Sequence, residues 1–109
     1  MSNVSDAVDG LVEAILESDE YNRYQGILQK LKRYPELKEK VDEFRLRNFE
    51  LQNSDMDRYR LMEETDRFEK EYEKLRSDPM VHRFLSEELA FCKMMQGVFG
   101  EIMQAIDFE

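Results

Sequence analysis

The sequence predicts an all-α fold, with about five helices packed as an antiparallel helical bundle that ends in a long C-terminal helix. Apolar residues recur at spacings of three and four along most of the chain, which is the helical period. Alternation of apolar and polar residues with period two never lasts long enough to predict a strand. The two prolines, Pro35 and Pro79, both stand where an apolar helical row begins, as expected for first-turn positions.

Length and composition are typical of one small folded domain, which we predict to span residues 1–109. The chain is 41% hydrophobic and 38% charged, with a net charge of −9. It is too apolar for intrinsic disorder, and no apolar run approaches the length needed to cross a bilayer. The N-terminus lacks the basic and apolar regions of a signal peptide. We therefore expect a cytoplasmic protein without membrane insertion.

The first helix is predicted over Val4–Glu17 and the second over Asp19–Tyr34, with Ser18-Asp19 as the capping signal between them. The second helix should end before Pro35, because a proline disfavours the helical conformation of the residue before it. One apolar row runs along each helix. Its members are Val4, Val8, Leu11 and Ile15 in the first helix, and Tyr21, Tyr24, Ile27, Leu28 and Leu31 in the second.

The third helix is predicted over Pro35–Gln52, and the fourth from the turn and cap cluster Asn53-Ser54-Asp55 to about Arg76. The third carries Leu37, Val41, Phe44 and Leu51. The fourth carries a narrow row of Leu61, Thr65, Phe68, Tyr72 and Leu75 between many charged residues. Such a helix should present one thin apolar edge to its neighbours and the rest to water.

The fifth and longest helix is predicted over Pro79–Ile106, with Ser77-Asp78 supplying its N-cap. Its main apolar row is accompanied by a second row, so its apolar surface is wider than a two-stranded seam and suits a bundle interior or an oligomer interface. We predict an oligomer or partner interface on Leu85, Cys92, Met95, Phe99, Ile102 and Ile106. Methionine-rich stretches of this helix fit either core filling or an adaptable partner groove.

Residue chemistry predicts a protein without catalytic residues, bound metal or cofactor. The single cysteine, Cys92, cannot form an internal disulfide or supply a thiolate set for zinc or an iron–sulfur cluster. The single histidine, His82, lies four residues after Asp78, and both residues fit a helix N-terminus better than an acid–base or metal pair. Gly97 and Gly100 match no phosphate-binding loop.

Only residues 30–47 are locally basic, and their cations are interspersed with acids. A solvated helical hairpin accounts for this pattern, and a patch for a polyanion or an acidic partner is the alternative. The candidate patch residues are Lys30, Lys32, Arg33, Arg45 and Arg47. Direct RNA binding through them is our alternative function, although a net charge of −9 opposes binding to a polyanion.

Several packing and capping positions together resemble the YlbF/YmcA (YheA-like) family of small bacterial helical regulators, over nearly the whole chain. The resemblance lies in Ser18-Asp19-Glu20-Tyr21, Tyr34-Pro35-Glu36-Leu37, Phe44-Arg45 with Asn48, Asp78-Pro79-Met80-Val81, Arg83-Phe84-Leu85, Glu87, Leu89, Cys92, Ile102 and Ile106-Asp107-Phe108-Glu109. None of these positions is a catalytic signature.

The resemblance implies an all-helical protein that oligomerises, commonly as a dimer, and acts as a regulatory adaptor without activity of its own. It implies partners of three kinds: a second copy, related helical family members, and the membrane-tethered endoribonuclease that matures messenger RNAs. The processes implied are competence, sporulation and biofilm formation. The family has been linked to iron–sulfur clusters, but members tied to cluster binding have extra cysteines. A chain with one cysteine is predicted to hold none itself.

Overall fold

A computed structural model describes residues 2–106, and all regular secondary structure in that range is helical. The six helices are α1 (Asn3–Leu16), α2 (Asp19–Lys32), α3 (Pro35–Gln52), α4 (Arg58–Glu71), α5 (Glu73–Arg76) and α6 (Pro79–Ala105). The predicted all-α fold and the long C-terminal helix are confirmed. Asp107–Glu109, where the resemblance ends, lie outside the described residues.

The predicted capping residues begin α2 and α6. The Ser18 hydroxyl accepts a hydrogen bond from the Tyr21 amide at 3.2 Å. Asp78 Oδ1 accepts from the amides of Met80 and Val81 at 2.9 and 3.2 Å. These bonds satisfy first-turn amides that have no partner inside the helix, which explains why both helices start where the sequence indicates.

The start of the fourth helix differs from the prediction, because the Asn53-Ser54-Asp55 cluster does not cap it. The Asn53 amide and the Ser54 hydroxyl instead donate to carbonyls at the end of α3, those of Phe49 and Leu51. Asp57 is the N-cap of α4, and its carboxylate accepts from the Arg60 amide at 2.9 Å.

A sixth helix arises because the predicted fourth helix breaks at Tyr72. The backbone there has φ −103° and ψ 10°, and the short α5 follows. The Tyr72 ring packs against Phe44 and Phe68, and its hydroxyl is bound by Arg47. Local sequence contains no proline or glycine at this point, so the break was not predictable from helix-ending signals.

The chain divides into two compact units, described here separately. The terminal unit contains the described residues up to Gln29 and from Phe84 onward, which are α1, most of α2 and most of α6. The central unit is Lys30–Arg83, which includes α3, α4 and α5. The single domain over residues 1–109 stays a prediction.

In the terminal unit, α6 packs antiparallel on α2 through aromatic contacts. The Tyr24 ring stacks on Phe91 at 5.5 Å and lies 5.9 Å from Phe84, while Tyr21 lies 5.5 Å from Phe91. Phe84 is fully buried and Ile27 nearly so. Two members of the predicted apolar row of α2, Tyr21 and Tyr24, therefore contact α6.

In the central unit, α3 and α4 form an antiparallel pair around three aromatic rings. The Phe44 ring stacks on Phe68 at 5.2 Å and meets the edge of Tyr72 at 5.2 Å, and Phe68 lies 5.0 Å from Tyr72. Each such pair contributes about 0.5–1.5 kcal/mol beyond the area it buries. The fully buried aliphatic residues of this unit are Leu31, Val41 and Val81.

Candidate functional site

The predicted interface residues share one face of α6, but their burial differs along the helix. Leu85 is partly buried, whereas Cys92 is exposed. The four residues towards the C-terminus leave large apolar side chains uncovered, with Phe99 65% exposed. We call Met95, Phe99 and Ile102, together with Ile106 directly after the helix end, the α6 apolar surface. Their 4-3-4 spacing places them on one helical face, and the interface itself stays a prediction.

The first helix adds exposed apolar residues that were not predicted to form an interaction surface. No residue of α1 is buried. Its exposed apolar side chains are Val4, Val8, Leu11, Val12 and Leu16. An isolated helix of 14 residues is marginal in water, so its apolar face gains stability when it is covered. A second interaction surface could have been predicted from the 4-3-4 spacing of the apolar row in the first helix.

The five predicted patch residues differ in whether they form ion pairs within the described part of the chain. Arg45 lies 3.9 Å from Asp42, and Arg47 is bound to α4. Lys30, Lys32 and Arg33 are exposed, and within the described part of the chain none of them forms an ion pair. An RNA site spanning residues 30–47 would therefore have to share two of its five cations with internal partners.

Arg47 joins α3 to α4 through charged and aromatic contacts. Its Nη1 donates to Glu71 Oε1 at 2.6 Å and to the Tyr72 hydroxyl at 2.8 Å. The guanidinium also lies 5.1 Å from the centre of the Tyr72 ring and 5.9 Å from that of Phe68. The Tyr72 hydroxyl in turn donates to Glu43 at 3.5 Å. This arrangement fixes the register of the two helices.

Hydrogen bonding within this pair shifts both pKa values in the direction that favours the charged forms. The bond from Arg47 lowers the pKa of the Glu71 carboxyl below its usual range. The bonds to Glu71 and then to Tyr72 raise the pKa of Arg47. Because the Glu71 side chain is 50% exposed, water and salt screen the pair and keep its contribution small.

We expect Glu71→Gln to lower the free energy of unfolding near neutral pH and to leave it unchanged in acid. A lowered folded-state pKa adds stability above the unfolded pKa of about 4.3, and this stability is lost as the pH falls through the folded value. Arg47 stays protonated throughout this range. Urea unfolding of both proteins, followed by circular dichroism, measures the difference.

Glu63→Gln, a matched change at an exposed α4 residue, is the control and should behave like wild type at both pH values. The effect of Glu71→Gln should shrink as the pH falls below the unfolded pKa of about 4.3, and a loss of stability that stays the same from neutral pH into acid would contradict an ionic contribution.

Asp78 and His82 have structural roles at the start of α6. Asp78 caps the helix, and the His82 amide donates to the Asp78 carbonyl at 2.8 Å. The His82 side chain lines an open groove of about 500 Å³ with cations and carboxylates of α4 and α5. Among residues 2–106, no three His, Cys, Asp or Glu side chains are grouped to hold a metal ion. In the same range, no helix is long and apolar enough to span a bilayer.

Comparison with known proteins gives a match along almost the entire chain. The family model described as "Control of competence regulator ComK, YlbF/YmcA" matches residues 4–107. A UPF0342 protein of Caldicellulosiruptor bescii is 24% identical over 110 residues, covering 100% of this chain and 92% of the relative. A UPF0342 protein of Staphylococcus saprophyticus is 30% identical over 105 residues, covering 95% and 89%. No solved structure is significantly similar. The chain therefore belongs to the YlbF/YmcA family, whose description is control of the competence regulator ComK.

Proposed function

We propose that this protein is a non-enzymatic regulatory adaptor that self-associates through the α6 apolar surface and docks on another protein. The observation that carries the proposal is the uncovered row of large apolar side chains on α6, from Met95 to Ile106. Contiguous apolar surface of this kind marks interaction sites in proteins that fold in water.

A second copy of the chain is the occupant that this surface fits best. Apolar residues at 4-3-4 spacing are the pattern by which two helices pack knobs into holes. An α6 helix can present the same row to its own copy across a two-fold axis, so one surface serves both subunits. The exposed apolar residues of α1 belong to the same unit and provide further area for such an interface.

The adaptor acts, in this proposal, on the pathway that the family description names. We propose that related helical family members and a membrane-tethered endoribonuclease are its partners, and that competence, sporulation and biofilm formation are the processes affected. The family match supports regulation of competence, and the resemblance of the sequence supports the ribonuclease complex. Catalytic activity then belongs to the partner rather than to this chain.

Native co-purification tests the partner part of the proposal. The protein is tagged at its chromosomal locus, isolated gently and analysed by mass spectrometry. We expect a ribonuclease and related small helical proteins to be recovered with it. Recovery of the tagged protein alone would contradict the ribonuclease complex, and its native mass would then test self-association separately.

A further inference from the structure

The corner between α2 and α3 forms an open groove on the central unit. Its volume is about 580 Å³, and it is lined by Arg33, Tyr34, Pro35, Glu36, Leu37 and Lys40. Pro35 keeps Tyr34 out of the helical conformation, with φ −123° and ψ 79°. Tyr34 remains 55% exposed there. The chain thus places an aromatic ring and an aliphatic side chain beside two cations.

Four cations lie at this corner. Lys30, Lys32, Arg33 and Lys40 are all exposed. Within residues 2–106, none of these four lies in an ion pair. Between residues 30 and 40 five bases stand against two acids, although the chain as a whole has a net charge of −9. The corner is therefore a local positive field on an acidic protein.

Other cations of α3 form ion pairs within the protein. Lys38 Nζ lies 2.6 Å from Asp42, which also lies 3.9 Å from Arg45. Arg47 is held by Glu71. Within residues 30–47, the cations that form no ion pair among the described residues therefore lie at the α2–α3 corner, and the proposed binding surface is smaller than the patch predicted from the sequence.

We propose that the α2–α3 corner is a docking site for an acidic segment of a partner protein. Carboxylates of that segment would pair with Arg33 and Lys40, while one of its apolar side chains packs against Tyr34 and Leu37. The proposal rests on the proposed adaptor function, because an adaptor needs a surface for a second protein apart from the one it uses for self-association.

A short acidic peptide fits this corner better than RNA does. Glu36 lies in the lining of the groove, and a phosphate chain crossing it would approach that carboxylate. A net charge of −9 also repels a polyanion that extends beyond the corner. A peptide can place its carboxylates beside the cations, which gives charge complementarity. It can also place an apolar side chain beside Tyr34.

The test uses the full chain and a fluorescein-labelled glutamate-rich peptide with leucine at regular intervals, followed by fluorescence anisotropy. We expect wild type to bind this peptide with an affinity that falls as salt is added. Arg33→Glu with Lys40→Glu should weaken binding about tenfold or more, because it replaces attraction by repulsion. The matched control is Arg58→Glu with Arg60→Glu, at exposed residues of α4, which should change the affinity far less.

Tyr34→Ala is the second variant, since it alters no charge and removes an exposed ring. It should weaken binding of the leucine-containing peptide but not of a glutamate peptide without leucine. Unchanged circular dichroism shows that each variant is folded.

Three results would overturn the proposal: no binding by wild type, equal binding of a glutamine version of the peptide, or tighter binding of single-stranded RNA that the same double variant abolishes. The native mass of wild type shows whether the docking site or the proposed self-association has failed. A self-associated wild type that ignores the peptide overturns only the docking site, and a monomer that binds the peptide overturns only the self-association.

Discussion

Replacing Phe99 with glutamate is expected to abolish the self-association that we propose for this protein. Phe99 lies at the centre of the α6 apolar surface and is 65% exposed in the single chain. In a helix pair it would be covered, and a carboxylate in its place would lose water without gaining a partner. We expect the association constant to fall at least about 30-fold, the effect of losing a central interface residue. Light scattering after size exclusion, over a range of concentrations, measures this.

Phe49→Glu is the matched control for this change. Phe49 is the same residue type with the same 65% exposure, but it lies on α3 in the central unit. Its replacement should leave the native mass unchanged. A folded Phe99→Glu protein with the native mass of wild type would show that the α6 apolar surface is not the interface. A monomeric wild type would contradict the proposed self-association itself.

Replacing Phe84 with alanine is expected to cause the largest loss of stability among single changes in the terminal unit. The side chain is fully buried, and its ring lies 5.9 Å from Tyr24. Truncation removes buried apolar surface and leaves a cavity, which costs about 3–5 kcal/mol for phenylalanine. Domains of this size have about 5–15 kcal/mol in total, so the variant should be close to unfolding. Urea unfolding followed by far-ultraviolet circular dichroism measures the change.

Phe44→Ala and Phe49→Ala complete that experiment. Phe44 is buried in the central unit, whereas Phe49 is exposed and should tolerate alanine. If residues 1–109 form one cooperative domain, Phe84→Ala and Phe44→Ala will each shift a single common transition. Two transitions, each moved by only one of the variants, would contradict the single-domain prediction.

Helix positions were largely predictable because their signals are local. Ser18 and Asp78 cap the helices they were predicted to cap, and α3 spans the predicted Pro35–Gln52. The cap predicted at Asn53-Ser54-Asp55 failed for a local reason, because Asn53 and Ser54 bond to the end of α3. The break at Tyr72 instead coincides with contacts to distant residues. Tyr72 ends α4 while it contacts Phe44 and Arg47, residues of another helix.

The candidate surfaces were predictable in part for the same reason. Spacing along α6 placed Phe99 and Ile102 on one face, and composition marked residues 30–47 as basic. Neither property reveals exposure. The pairing of Arg47 with Glu71, 24 residues away, depends on how α3 meets α4, and only this contact shows that Arg47 already has an internal partner.

The helical class, most of the helix ends and the apolar face of each helix were predictable without the structure, because periodicity, proline and capping side chains act within a few residues. Which faces are covered and which cations have internal partners was known only from the folded arrangement. Phe84 and Phe99 belong to the same helix, yet one is fully buried against α2 and the other is exposed. Burial and ion pairing depend on residues that are distant in the chain, and local patterns contain no information about which of them meet.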